Sequence, residues 1–353
     1  MSVYLANIGL MFIWAFFLLK IKPSEKKRIA FCAIACLQLV LISGLRDWSI
    51  GADTLAYYRA FEKAKTTSWS TIWSNVVDYL FHGLETKDPG YYLFQKIFQI
   101  FSDNYQVYLI VIAVIFMVSM TRWIYKYSSM PEISFIVYSV LFYSFYSVTG
   151  LRQTLATALI VFFGYEYAKE RKPIKFAIVA FIAFLIHKSS LVFVPYYFIA
   201  NIAFSYIYVG ILSVIAVAIV LLGDQLYAPV AFFLGFGEEQ IFYEGGGTET
   251  FTFLMITVCL VSFALYPWIS KRRNDTSNIY NLVYLTLIST LLVMQQQSFM
   301  RIQQYYSLII MITIPEMVQS IEKKYRDFVS IIGIIVMVAF LVQTNPHYRF
   351  FWQ

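Results

Sequence analysis

Long apolar runs separated by short polar breaks dominate the chain, and the runs at 28–45, 104–121, 206–222, 251–270 and 327–342 exceed what a soluble core needs. Apolar length and helix breakers together predict helices at 3–19, 28–45, 104–122, 132–149, 152–168, 174–187, 189–201, 204–222, 251–270, 278–296, 302–320 and 327–343. The expected fold is therefore an all-α polytopic membrane protein of about twelve transmembrane helices, forming one integral membrane domain over residues 1–353 with both termini on one side. Hinges around His187 and Asn201 would lower the count to ten or eleven. Two longer polar segments interrupt the series. Residues 46–103 hold polar turns, an amphipathic stretch near 54–65 and a short apolar helix at 90–101 that lies in the interface or re-enters. Residues 223–250 carry Gly235, Gly237 and the run Gly245-Gly246-Gly247.

Composition agrees with the pattern: 60% of the residues are hydrophobic, only 13% are charged, and the mean hydropathy is +0.66. The 28 Tyr and 33 Phe suit interfacial belts and offer stacking faces for sugars. A net charge of +7 would suggest nucleic acid in a soluble protein, but here the surplus falls in alternating short loops. Of the 27 Lys and Arg residues, 17 lie in the loops around 20–28, 122–126, 169–175, 271–273 and 323–326, which makes that side cytoplasmic. Nucleic acid is not an expected partner; the bilayer is. Both long segments then face outward, and the active cleft is expected there, because the cytoplasmic loops are too short to shape one. Cys32, Cys36 and Cys259 all lie inside apolar runs and support neither a disulfide framework nor a zinc site. No His/Asp/Glu cluster has metal spacing, so no metal and no cofactor is expected. The N-terminal run lacks a basic leader and reads as a retained span. The triple glycine lacks the strand and lysine of a phosphate loop; a flexible gate over a cleft and a plain loop both fit it.

Four residues on the outer face call for chemistry. Arg152, after Gly150, stands in the first turn of a span, and Arg301 in Phe299-Met300-Arg301-Ile302 repeats that placement. A helix N-terminus already carries partial positive charge and open N–H groups, so a cation there is costly unless an anion is shared between them. Arg46, at the outer end of the second span, is better tolerated by the dipole. Guanidinium grips phosphate oxygens at two points and keeps its charge at membrane depth, which points to a phosphate or pyrophosphate ligand; the alternative for each arginine alone is a snorkelling anchor. His187, in Ile186-His187-Lys188-Ser189, ends an apolar run at the same level. It is either a capped interfacial residue or a base for an incoming hydroxyl. In the first outer loop, Asp53 or Thr54 caps a helix with Tyr57 one turn later. The functional reading has Asp53 orient an arginine or bind a sugar hydroxyl while Trp48, Tyr57 or Tyr58 stacks on a ring.

The run from Gly44 to Tyr58, then Gly150-Leu151-Arg152-Gln153, then His187-Lys188-Ser189-Ser190, then Arg301-Ile302-Gln303-Gln304-Tyr305-Tyr306 ahead of Pro315, resembles the EpsG-like, Wzy-type polysaccharide polymerases over residues from about 40 to 320. The resemblance implies a metal-independent, inverting glycosyltransferase with GT-C-like architecture in the bacterial cytoplasmic membrane. Such an enzyme moves a growing glycan from undecaprenyl pyrophosphate to the next lipid-linked repeat unit at the outer leaflet. It implies catalytic roles for His187, Arg152 and Arg301, and substrate binding by Arg46, Asp53, Tyr57, Lys188, Gln304 and Tyr305. A chain-length regulator and a flippase of the same pathway are the implied protein partners. This chain departs from many such polymerases in dividing the role of one large outer loop between 46–103 and 223–250. A flippase or exporter of lipid-linked sugars is the alternative from another class, and an O-antigen-type ligase shares the chemistry. The nearly uniform apolarity of the mid-span positions favours an enzyme over a transporter.

Overall fold

The computed structural model describes residues 1–51, 53–83, 87–222, 225, 229, 248–344 and 346–353. Each of the twelve predicted apolar runs is helical along most of its length. Six helices are long and apolar enough to cross a membrane: Ser2–Lys20, Glu25–Gly44, Tyr105–Tyr127, Glu249–Ile269, Thr276–Gln295 and Lys323–Thr344. Shorter apolar helices at Pro131–Phe142, Pro173–Ile186 and Ile207–Ile219 fill in between them. Among the described residues there is no strand, and pairing of extended backbone is limited to an isolated bridge between Arg46 and Phe350.

Local chemistry sets the starts. Ser24 Oγ accepts from Lys27 N ahead of Glu25–Gly44, and Asn104 accepts from the N–H groups of Gln106 and Val107 ahead of Tyr105–Tyr127. Prolines 89, 131 and 173 each occupy a first turn, where no N–H is missed. Glu25–Gly44 and Tyr105–Tyr127 pack closely at their outer ends, where a Cβ on Gly44 would sit 3.0 Å from Ile110 Cα.

Residues 46–103 hold three helices rather than the two segments expected: Thr54–Thr66, Trp69–Phe81 and Pro89–Phe98. The helix 69–81 was not legible as such, because Ile72 and Val76 alone form its buried stripe while Trp69 and Trp73 stay exposed. Thr54–Thr66 and Pro89–Phe98 pack with Tyr105–Tyr127 around a second core of Tyr57, Phe61, Tyr91, Phe98, Tyr105 and Tyr108, and Trp69–Phe81 lies against Pro89–Phe98. In the second long polar segment expected, residues 230–247, with all five of the glycines noted above, lie outside the described residues.

Several predicted spans are not regular α-helix. The run 131–149 passes through π-helical turns at Tyr138–Phe142 and Ser144–Thr149, and 151–169 through another at Ile160–Gly164. The run 189–201 begins as a 3-10 helix, Lys188–Phe193, and the run 302–320 divides into Met300–Ser307 and Ile310–Ser320. These irregular turns flank the breaks at Gly150, His187 and Phe299, which come together at one end of the bundle.

The other end is held by the residues of the basic loops. Arg273 grips Asp275 through Nε and Nη2 at 2.8 and 3.1 Å and reaches Glu316 at 2.7 Å through Nη1, while Lys169 binds Asp275 at 3.1 Å. Lys126 and the Tyr127 hydroxyl both donate to Glu166. Loops far apart in sequence are thereby tied into one layer, as the alternating charge pattern requires.

Candidate functional site

Asp88, which sequence reasoning missed, is the centre of the cluster at the end of the bundle where the breaks at Gly150, His187 and Phe299 meet. Its carboxylate is buried, with Oδ2 2.9 Å from both His187 Nδ1 and Arg152 Nη1, and Oδ1 accepts the Lys188 backbone N–H at 3.0 Å. Three donors from two elements converge on one carboxylate.

The local chain is built to deliver it. Asp88 sits in the left-handed region at φ 55°, uncommon for a residue with a Cβ, immediately before the helix Pro89–Phe98. Gly90 permits the approach: a Cβ there would lie 2.7 Å from the carbonyl carbon and oxygen of Leu185, two residues before His187. The helix Pro173–Ile186 then ends as His187 turns extended, φ −156° and ψ 112°, which presents the imidazole sideways to Asp88.

Electrostatics fix the protonation pattern. Burial works to raise the Asp88 pKa, but the hydrogen bond from His187, the neighbouring His187 and Arg152 and the Lys188 N–H outweigh it and hold the carboxyl below its ordinary value. Burial pushes the His187 imidazole below its ordinary 6.5 despite the Asp88 carboxylate, and the charges of Arg152 and Arg301 push the same way. The pair at neutral pH is therefore aspartate and neutral imidazole. An ionised carboxylate can only accept, so Nδ1 carries the proton and Nε2 presents its lone pair.

Both helix starts hold an arginine. Arg152 is the second residue of Leu151–Leu159, capped by Gly150 with no side-chain bond, and Arg301 is the second residue of Met300–Ser307, likewise without a side-chain cap or an acidic residue in its first turn. Gln153 Nε2 donates to the Arg301 carbonyl at 2.8 Å, so the two starts abut. The Arg152 guanidinium lies 5.6 Å from the centre of the Tyr57 ring, and its Nε is buried without a hydrogen-bond partner. Lys87, also missed by sequence reasoning, stands at the rim. Desolvation pushes its pKa down first, and the positive charges of Arg152 and Arg301 add to this. Three cations thus share one field beside the neutral histidine.

The remaining predicted residues are placed as follows. Tyr305 is buried with its hydroxyl 3.2 Å from Ser189 Oγ, joining 188–193 to 300–307. Gln304 is buried, its carbonyl accepting from the Tyr146 hydroxyl at 2.6 Å while its side-chain Oε1 has no hydrogen bond. Lys188 touches the cluster through its backbone. Asp53 is exposed at the start of Thr54–Thr66 and makes no side-chain cap; Thr54 donates to the Gly51 carbonyl instead, and the arginine-orienting part expected of Asp53 is taken by Asp88. Trp48 stacks on Tyr58 at 4.6 Å between ring centres.

Arg46 is not with the other two arginines. It is 1% exposed and donates from Nε and Nη2 to the carbonyls of Ser147 and Val148 at 3.1 and 3.0 Å. The C-terminal tail closes over it: Asp47 N donates to the Arg349 carbonyl at 2.8 Å, Phe351 N to the Leu45 carbonyl at 3.0 Å, and Arg349 pairs with Asp47 at 3.1 Å. The expectation that Arg46 faces outward to a ligand is corrected accordingly: the tail, invisible to local pattern, turns it inward.

No group of three His, Cys, Asp or Glu side chains among the described residues has metal-binding geometry. A neutral imidazole oriented by a carboxylate, beside three cations and two uncapped helix starts, can take a proton from a hydroxyl and hold a polyanion. The model of the EpsG family matches residues 29–350. No curated protein and no solved structure matches the chain. With the match covering most of its length, the chain belongs to the EpsG family.

Proposed function

We propose that this EpsG-family chain polymerises undecaprenyl-pyrophosphate-linked oligosaccharide repeat units at the outer leaflet of the bacterial cytoplasmic membrane, as a metal-independent, inverting glycosyltransferase. The observation that carries the reading is the pairing of the Asp88–His187 couple with the Arg152, Arg301 and Lys87 charges, which separates a proton-accepting nitrogen from an anion-holding surface within one cluster. In this reading the twelve helical runs are twelve crossings of GT-C-like architecture, and the cluster faces outward.

His187 Nε2 takes the proton from the acceptor sugar hydroxyl. That oxygen bonds to the anomeric carbon of the donor as the bond from this carbon to the pyrophosphate oxygen breaks, and the electron pair leaves with the lipid pyrophosphate. Negative charge grows on the leaving oxygen, where Arg152, Arg301 and Lys87 stabilise it most in the transition state. Asp88 holds the imidazole in the useful tautomer and keeps Arg152 aimed, and Tyr57 backs that guanidinium. Lys188 and the exposed Asp53 line the approach of the sugars, and the buried Gln304 and Tyr305 shape it through their packing. A flippase and a chain-length regulator of the same pathway would supply the substrate and meter the product.

The test is glycan analysis of cells carrying Arg152→Ala or Arg301→Ala. Each is expected to collapse the polymer to a single repeat unit with the protein level unchanged, and normal polymer length in both would end the pyrophosphate-clamp reading. Free lipid-linked polymer would mean a ligase, and inner-leaflet accumulation of the repeat unit a flippase.

A further inference from the structure

Arg46 raises a problem that the proposed reaction does not solve. It is fully buried and makes no ion pair with any described carboxylate. A buried guanidinium without a counter-charge is costly. Its two carbonyl partners, at the C-terminal end of the run 131–149, supply only the partial negative charge of a helix end. The third nitrogen, Nη1, has no partner.

Around it the open groups are donors. Arg46 and Ser43 line a small cavity with Tyr146, Ser147, Leu151 and Thr154, with room for one small occupant. Ser43 Oγ is buried beside the Tyr143 hydroxyl, and Tyr143 and Tyr105 lie outside the cavity lining. Both tyrosines lie within electrostatic reach of Arg46. One full positive charge, the Ser43 hydroxyl and no acidic side chain in the lining describe a setting for a small anion. Water could meet the hydrogen bonds but would leave the charge uncompensated.

We propose that the Arg46 cavity binds a halide-sized monovalent anion, chloride in the cell, held by Arg46 Nη1 with the Ser43 hydroxyl. The site lies under Leu151 and Thr154, on the inner side of the helix start that carries Arg152. It is separate from the pyrophosphate surface. Occupancy would brace the Gly150 break from behind, and the proposal does not depend on the reaction assigned to the protein.

The purified full chain in detergent is melted in sodium chloride, sodium bromide and sodium gluconate at equal ionic strength. Chloride and bromide are expected to raise the midpoint saturably by roughly 2–4 °C over gluconate. Arg46→Gln should abolish the difference, and Ser43→Ala should move its concentration midpoint several-fold higher, which keeps the test alive if the Arg46 variant fails to fold. Bromide should also give an anomalous-scattering peak beside Arg46. Equal melting of the wild-type chain in all three salts, meaning a cavity that holds only water, overturns the proposal.

Discussion

Replacing Asp88 by Asn changes one atom in the cluster while leaving the backbone comfortable, because Asn tolerates the left-handed conformation that Asp88 adopts at φ 55°. The carboxylate serves three donors: His187 and Arg152 at 2.9 Å on Oδ2 and Lys188 N at 3.0 Å on Oδ1. An amide has one acceptor oxygen. If that oxygen stays with Lys188, the amide N–H₂ faces Arg152, a donor against a donor. It then forces His187 Nδ1 to accept, which moves the proton to Nε2 and removes the base. If the amide flips, the Lys188 N–H is orphaned and Arg152 still loses its counter-charge. Losing a charge-assisted bond to a buried group costs about 1.5–3 kcal/mol, and the part-exposed Arg152 limits the loss to that range rather than to the larger cost of a wholly buried ion. The chemical step loses more. In Ser-His-Asp hydrolases the equivalent exchange lowers turnover about 10⁴-fold through the wrong tautomer, close to 5.5 kcal/mol of transition-state stabilisation. The measurement is polymer formation from a purified lipid-linked repeat unit, with folding checked by melting. Turnover within about tenfold of wild type in a folded Asp88→Asn protein would refute the orienting role.

Other consequences follow from the same geometry. Gly90→Ala places a methyl 2.7 Å from the Leu185 carbonyl; it is expected to cost about 1–3 kcal/mol and, by shifting Asp88 off His187, about 10²-fold in rate, whereas unchanged kinetics would show that the close approach is incidental. For pH, the His187 pKa is depressed below 6.5 by burial, so turnover should stay level through neutral pH and fall only below 6.5 as the imidazole charges, and an acid limb at or above 6.5 would contradict this. The same depressed pKa gives stability that is present above 6.5 and lost as pH falls through the window beneath it, because the unfolded chain then binds the extra proton. At the opposite end, Arg273→Ala would strand Glu316 and leave Asp275 to Lys169 alone, and is expected to destabilise by about 3–5 kcal/mol, with the KM of the surviving folded enzyme unchanged; a KM shift would tie that layer to substrate binding.

The helices were legible because apolar length and proline or capping residues act locally, and that information is present in any short window. The two opposed arginines were legible for the same reason: Gly150 and the Gln297–Phe299 turn announce a helix start, and a cation in a first turn is odd without knowing anything farther away. Asp88 was not. In sequence, Asp88-Pro89-Gly90 reads as a plain helix entry, and its role depends on Gly90 lying against Leu185, about a hundred residues on. Its signals were a carboxylate and a lysine side by side at an outer helix entry, both charged at the level of His187. Arg46 failed in the opposite direction. Nothing near it in sequence reveals that residues 348–351 return to cover it, and burial converts an apparent ligand-facing cation into a structural one.

The distribution of charge bears on enzyme against transporter more than any single residue does. The buried ion pairs among the described residues gather at the two ends of the bundle, with Arg273, Asp275, Glu316 and Glu166 in the basic-loop layer and Asp88, Arg152 and His187 at the far end. Polar contacts inside the bundle are neutral, such as Asn7 to Ser139 at 3.3 Å and Gln38 to Asn7 at 3.2 Å. A carrier that alternates access to a pyrophosphate headgroup must stabilise its charge near the bilayer midplane, and neutral amides and hydroxyls there would leave several negative charges uncompensated. A site whose cations stay at one face has no such requirement, since lipid and sugars can reach it from the same leaflet. Under the proposed reaction, a histidine that is already neutral and held by Asp88 would need only the acceptor hydroxyl and the departing pyrophosphate to arrive together, which is the demand of group transfer and not of transport.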